Sequence, residues 1–195
     1  MFEKGTGVCG AVTISIGARN APNAFLAMSA EMSAATEHRG CASSTTTARP
    51  VPEEGYAVPF GEANVVREGG DVTIVTLGRM VHTSLEAARQ LAADGVQCEV
   101  IDLRTTSPLD EDTVLESVEG TGRLVVVDES HPRCSIATDI SALVARKAFG
   151  SLQAPIEMVT APHTPVPFSN ALEDLYIPDA QRVANAVKTV TGWTP

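Results

Sequence analysis

The sequence predicts an α/β fold, a three-layer α/β/α sandwich built around a mostly parallel sheet. Short apolar strands alternate with helical segments from residue 71 to residue 189, and short connections between such elements imply right-handed crossovers. Apolar residues make up 44% of the chain and aromatic residues only 4%, so Val, Ile, Leu and Ala must form the core. That composition is typical of a buried parallel sheet covered by helices.

The first fifty residues differ from the rest of the chain. They are rich in Ala, Ser, Thr and Gly, and their apolar residues follow neither a sustained helical nor a sustained strand period. A short strand at 11–16 and a helix near 23–35 are the elements we expect there. Residues 42–48 offer little apolar surface to bury. We therefore predict a poorly ordered N-terminal segment, a remnant or linker, at 1–50 and one domain at 51–195.

The chain from residue 51 is predicted to be extended, and regular elements begin after the Gly69-Gly70 turn that follows it. Alternation and turn residues predict the first unit: a strand at 71–77, a helix at 83–93 and a strand at 98–102. Ser107-Pro108 then opens a helix with three acidic residues in its first turn, where the helix dipole favours them. We expect this helix to end before Gly120 and Gly122.

The second half of the domain repeats the alternation. An uninterrupted apolar run predicts a strand at the centre of the sheet, and an amphipathic pattern follows it. A short strand, a proline-rich crossing and a last helix complete the prediction. In order, the predicted segments are a strand at 124–128, a helix at 135–149, a strand at 156–160, the crossing at 162–168 and a helix at 179–189.

Charge and cysteine spacing exclude several classes of function. Lys and Arg number 14 against 24 Asp and Glu, a formal charge of −10, which repels nucleic acid and anionic membrane surfaces. We find neither a membrane-spanning apolar run nor a secretory signal, and predict a cytoplasmic protein. The four cysteines form no CxxC pair, so we expect reduced thiols and no zinc site.

Two sites at predicted strand ends could carry chemistry. The sequence has neither GxGxxG nor GxxxxGK[ST], which argues against a nucleotide-phosphate loop. Arg79 follows a strand, where it could meet an anion or simply lie in a strand-to-helix turn. Asp128, Glu129, Ser130 and His131 follow another strand, where acid–base chemistry competes with a role in capping, loop hydrogen bonds or an interface.

The remaining reactive side chains are predicted to be structural. Cys134 lies beside Arg133 at a helix start, which can lower a thiol pKa, but no base is defined for it and we expect it to be packed. His163 lies among prolines and is expected to be exposed or to anchor a loop. His38 and His82 have no partners at metal-ligand spacing, so no metal site is predicted.

Five blocks resemble the C-terminal transketolase-like domain of the beta subunit of thiamine-diphosphate-dependent 2-oxo acid and acetoin dehydrogenases. They occur in family order over residues 51 to about 189. The blocks are VPEEGYAVPFGEA at 51–63, DVTIVTLGRM at 71–80, IDLRTTSPLD at 101–110, VDESHPRCSI at 127–136 and TAPHTPVPFS at 160–169.

The resemblance implies an assembly role within an oxidoreductase. In that family thiamine diphosphate, held with magnesium, lies between the alpha subunit and the beta subunit's N-terminal pyrimidine-binding domain. The C-terminal domain supports contacts with the alpha subunit and a second beta subunit, and in related complexes helps to dock the dihydrolipoyl acyltransferase. By this resemblance the chain itself carries no catalytic, cofactor-binding or metal-binding residue.

The resemblance stops before Val51. The pyrimidine-binding domain and its cofactor-activating glutamate would precede this residue, and fifty residues cannot supply that fold. Glu37-His-Arg39 is similar to the last strand of that domain, but its surroundings do not match. We therefore expect a truncated gene, a misread start or a frame-shifted coding sequence.

Three functional hypotheses follow, and one surface is predicted. The chain is an assembly module, a free-standing α/β enzyme that uses the groups near Asp128 and His131, or a degenerate product without function. For the assembly module, small residues at helical spacing on the 135–149 helix predict close approach of a sister subunit or a second copy. These interface residues are Ala137, Ser141, Ala145 and Ala148.

Overall fold

The computed structural model describes residues 57–192, and the elements predicted within residues 1–50 lie outside this range. The described residues form five strands and five helices in nearly strict alternation. In chain order these are β1 (Asn64–Arg67), β2 (Val72–Thr76), α1 (Arg79–Ala93), β3 (Cys98–Asp102), α2 (Glu111–Thr121), β4 (Leu124–Val127), α3 (Ile136–Lys147), a 3₁₀ turn (Phe149–Ser151), β5 (Glu157–Val159), α4 (Asn170–Tyr176) and α5 (Ala180–Thr191).

The sheet has the strand order β1-β3-β2-β4-β5. Strands β3, β2, β4 and β5 are parallel, and β1 runs antiparallel along β3. The central strand is therefore β2, whereas the sequence placed 124–128 at the centre. Every residue of both β2 and β4 is buried, so hydropathy could not distinguish the two positions.

Helices cover both faces of the sheet, which confirms the three-layer α/β/α prediction. Because side chains alternate along a strand, each strand contributes to two separate cores. One core joins Ile74, Val100 and Val125 to α1 and α5. The other joins Val75, Ile101 and Val126 to α2 and α3.

Several boundaries differ from the predicted ones. Helix α1 begins at Arg79 instead of residue 83, because Gly78, with φ +58°, turns the chain directly into the helix and places Met80 in the core. Helix α2 continues through Gly120 and ends at Gly122, whose left-handed φ of +69° forms the cap. A glycine inside a helix costs only about 1 kcal/mol, so Gly120 does not stop it.

Two short elements were not predicted. Strand β1 lies in the stretch expected to be a simple extended approach, and its pairing with β3 contains an irregularity between Val65 and Arg67. Helix α4 follows the proline-rich crossing, after Ser169. Neither element carries the continuous apolar run or sustained period that predicted the other elements. Within residues 57–192, no helix is both long and apolar enough to cross a bilayer.

Candidate functional site

The carboxyl group of Asp128, which directly follows β4, is held by its own loop. Its Oδ1 accepts a hydrogen bond from the Ser130 backbone N–H at 2.9 Å, and its Oδ2 accepts one from the Ser130 hydroxyl at 2.6 Å. Asp128 is almost fully buried, whereas Glu129 is exposed. An aspartate that bonds to the residue two positions on stabilises a turn, so the Asp128 carboxylate has a structural role.

Two imidazole rings meet at the same edge of the sheet. The His131 and His163 ring centroids lie 4.9 Å apart in an edge-to-face arrangement. The Ala161 backbone N–H donates to the Ser130 carbonyl at 3.0 Å and ties the two loops together. The pairing was missed because the histidines are 32 positions apart, although both follow strands that turn out to be adjacent, β4 and β5.

Arg79 and Cys134 are the other candidate side chains near strand and helix ends. Arg79 is half-buried at the first position of α1, whose first turn contains no acidic residue. Its role as an anion contact stays a prediction. Cys134 is exposed, with φ +52°, so the expectation that it is packed was wrong. Cys134 directly precedes Ser135, which begins α3 through a reciprocal cap with Thr138.

The four small residues predicted to form an interface on α3 divide into two pairs. Ala137 and Ala148 are buried in the core between α3 and the sheet, so neither can contact a partner while the domain is folded. Ser141 is half-buried, and its hydroxyl donates to the Ala137 carbonyl at 2.7 Å. Ala145 is exposed. The interface remains a prediction for Ser141 and Ala145.

Ala145 lines an apolar groove, which we name the α3 groove, between the end of α3 and the start of β5. Its volume is about 460 Å³, within the roughly 300–1,000 Å³ range of clefts that take ligands. The side chain of Phe149 is 72% exposed at this groove. Its lining residues are Ala145, Phe149, Leu152, Gln153, Ala154, Pro155 and Ile156.

A second apolar surface, which we name the α4 ridge, follows β5. It consists of large apolar side chains from the proline-rich crossing and α4, namely Val166, Phe168, Leu172 and Leu175. Phe168 is fully exposed and Leu175 is 78% exposed. Several large apolar side chains exposed within one short segment are more typical of an interaction surface than single scattered ones. From the sequence, residues 162–168 were predicted only as a crossing, and this surface was missed.

Comparisons with known proteins identify the family of this chain. Residues 61–183 match the family described as "Transketolase, C-terminal domain". The beta subunit of acetoin:2,6-dichlorophenolindophenol oxidoreductase from Cupriavidus necator is 68% identical over 143 residues, and that of Bacillus subtilis is 53% identical over 142. The Bacillus subtilis pyruvate dehydrogenase E1 component subunit beta is 47% identical over 140 residues.

These matches cover 72–73% of this chain, but the chain spans only 42–43% of the length of these relatives. A solved structure titled "Split gene transketolase, inactive beta4 tetramer" superposes with a TM-score of 0.64 at 28% identity, covering 70% of this chain and 44% of that one. The resemblance predicted from the five sequence blocks is confirmed. This chain belongs to the transketolase C-terminal domain family.

Proposed function

We propose that this chain is an assembly and subunit-interaction domain of the beta subunit of a thiamine-dependent acetoin or 2-oxo acid dehydrogenase, and that it has no turnover of its own. The observation that carries the proposal is the 68% identity to an acetoin oxidoreductase beta subunit over 143 residues. The lower identity of 47% to a pyruvate dehydrogenase beta subunit favours acetoin over pyruvate as the substrate of the parent complex.

Two structural features support an assembly role over independent catalysis. The Asp128 carboxylate at the carboxyl edge of the sheet is used by a local turn. Two apolar surfaces, the α3 groove and the α4 ridge, face solvent at the outside of the domain. The Asp128 carboxylate is hydrogen-bonded within a turn, and large apolar side chains are exposed. Such a domain is better suited to contacts with other chains than to acid–base chemistry.

Two observations support a site for thiamine diphosphate and its magnesium ion outside this domain. Magnesium is held through carboxylates and the phosphates of the ligand, and residues 57–192 contain no cluster of three His, Cys, Asp or Glu side chains that could hold a metal. No glycine-rich phosphate loop occurs in the sequence. We propose that the cofactor belongs to the parent complex and binds outside this domain.

The proposed partners are the alpha subunit, a second beta subunit and the dihydrolipoyl acyltransferase, in the cytoplasm. The similar solved structure is that of an inactive beta4 tetramer of a split gene transketolase, which supports contacts between copies of this domain. The net charge of −10 disfavours nucleic acid and anionic membranes as partners.

Co-purification and turnover test the proposal together. The tagged chain is co-expressed with the alpha subunit of an acetoin:2,6-dichlorophenolindophenol oxidoreductase, and complexes are measured by gel filtration with light scattering. We expect stable association with the alpha subunit or with further copies. We also expect that the pure chain, given acetoin, thiamine diphosphate and magnesium, does not reduce the dye 2,6-dichlorophenolindophenol.

Two outcomes contradict the proposal. Dye reduction by the pure chain would support the free-standing enzyme instead. A chain that folds, stays monomeric at high micromolar concentration and binds no alpha subunit would support a product without an assembly function.

A further inference from the structure

Two exposed histidines meet on the loops that follow the adjacent strands β4 and β5. The ring centroids of His131 and His163 lie 4.9 Å apart, with an angle of 68° between the ring planes. Among residues 57–192, neither ring takes part in a hydrogen bond or an ion pair. The ring nitrogens therefore remain available to a ligand, and imidazole is the commonest metal ligand among side chains.

The backbone beneath the two rings is held by hydrogen bonds. The Ala161 N–H donates to the Ser130 carbonyl at 3.0 Å and joins the two loops. The Thr164 N–H donates to the Pro162 carbonyl at 2.8 Å, which closes a tight turn around His163. Loops that are already fixed lose less entropy when their side chains bind a common ligand.

The separation of the rings fits two ligands of one metal ion. A metal bound about 2.1 Å from one nitrogen of each ring lies about 3.2 Å from each ring centre. Two such ligands at the roughly 90–110° of octahedral or tetrahedral coordination have ring centres about 4.5–5.2 Å apart. The observed 4.9 Å lies within this range. Because the χ2 torsion of histidine is broad, each exposed ring can turn a nitrogen toward the same ion without a backbone movement.

The chemistry of the pair selects the kind of metal. Imidazole suits Zn²⁺, Cu²⁺ and Ni²⁺, whereas Mg²⁺ and Ca²⁺ prefer oxygen ligands. In the part of the chain that the structure describes, no third His, Cys, Asp or Glu completes a group with the two rings. A metal held by two imidazoles keeps water in its other positions and binds more weakly than in a closed structural site with four protein ligands.

We propose that His131 and His163 together bind a divalent transition-metal ion, with water in the remaining coordination positions. The exposed side chains of Glu129 and Arg133 flank His131 at two positions on either side. Their charges are opposite, so the affinity rests on the two imidazoles and not on the local charge. The inference is independent of the proposed assembly function.

Calorimetric titration of the untagged full-length chain with Ni²⁺ at neutral pH tests the site. Every chain carries Cys134→Ser, because an exposed thiol near His131 is itself a potential metal ligand. We expect one micromolar site, and we expect His131→Gln and His163→Gln each to weaken it at least about 10-fold, since loss of a second-shell partner alone costs that much. His82→Gln removes a half-buried histidine of α1, is the matched control and should leave the affinity unchanged.

Two further measurements accompany the titration. Both variant positions are exposed, so the fold should tolerate them, and circular dichroism checks this. Excess Ni²⁺ should raise Tm of the parent chain and of His82→Gln, but not that of the two test variants. Absence of binding below millimolar Ni²⁺ overturns the proposal, and the rings then only pack against each other. Micromolar binding that either test variant leaves unchanged also overturns it, because the metal is then held by other residues.

Discussion

Asp110 is the residue whose removal tests most directly how the domain is held together at its N-terminal side. Its carboxylate caps the N-terminus of α2. Oδ1 accepts a hydrogen bond from the Thr113 backbone N–H at 3.1 Å, and Oδ2 accepts one from the Thr113 hydroxyl at 2.7 Å. Oδ2 also accepts from the Ala63 backbone N–H at 2.8 Å, 47 positions earlier in the chain. One side chain thus caps a helix and anchors the segment that leads into β1.

The expected loss follows from these two roles. Removing an aspartate N-cap costs about 1 kcal/mol, and removing a hydrogen bond to a charged group costs about 1.5–3 kcal/mol. Because Asp110 is only half-buried, the lower part of that range applies. We expect Asp110→Ala to lower the free energy of unfolding by about 2–3 kcal/mol in urea titrations, and Tm by about 6–12 °C.

Two matched variants separate the contributions. Asp112→Ala removes an exposed acidic side chain from the same first turn and should cost only about 0.3–1 kcal/mol through the helix dipole. Asp110→Asn keeps a capping oxygen but loses the charge, so we expect an intermediate loss. If Asp110→Ala proves no more destabilising than Asp112→Ala, the tie to Ala63 does not contribute as we argue.

The same carboxylate predicts a pH dependence. Burial raises the pKa of Asp110, but the hydrogen bonds from Ala63 and Thr113 outweigh burial and hold the pKa below its usual value of 3.8. A lowered pKa stabilises the fold above the unfolded-state pKa, and this contribution is lost as pH falls through the folded-state pKa. The difference in unfolding free energy between wild type and Asp110→Ala should therefore be constant above about pH 5 and shrink in acid.

Three further predictions concern packing, thiol reactivity and the domain boundary. A Cβ on Gly69 would clash with the backbone of Cys98, whereas one on Gly70 meets nothing within 4 Å. In denaturant titrations, Gly69→Ala should therefore lower the free energy of unfolding by about 1–3 kcal/mol, and Gly70→Ala should change it little. Burial raises the pKa of the Cys98 thiol to about 11. Iodoacetamide at pH 8 should therefore modify the exposed Cys134 and leave Cys98 unmodified, as measured by peptide mass spectrometry. Equal labelling of both cysteines would contradict the buried environment of Cys98. A chain that begins at Val51 should melt within about 2 °C of the full-length chain, and a larger drop in calorimetry would move the domain boundary toward the N-terminus.

The sequence alone determined the class of fold, because apolar runs and turn residues are local signals. The alternation from residue 71 onwards predicted four strands and four helices of the sheet and its covering layers, and the five sequence blocks identified the family. Buried strands such as β4 and amphipathic helices such as α5 are determined by their own side chains. Strand β1 and helix α4 carry neither a continuous apolar run nor a sustained helical period, and they were not recognised.

Only the tertiary structure decided which side chains meet. The order of the strands placed β2 at the centre, brought His131 against His163, and bonded the buried Thr73 hydroxyl to Thr121 at 2.7 Å. It also divided the small residues of α3 between core and surface, burying Ala137 and leaving Ala145 at a groove. A helical repeat shows that such residues share a face, but the packing of α3 against the sheet and α2 determines which part of that face is buried.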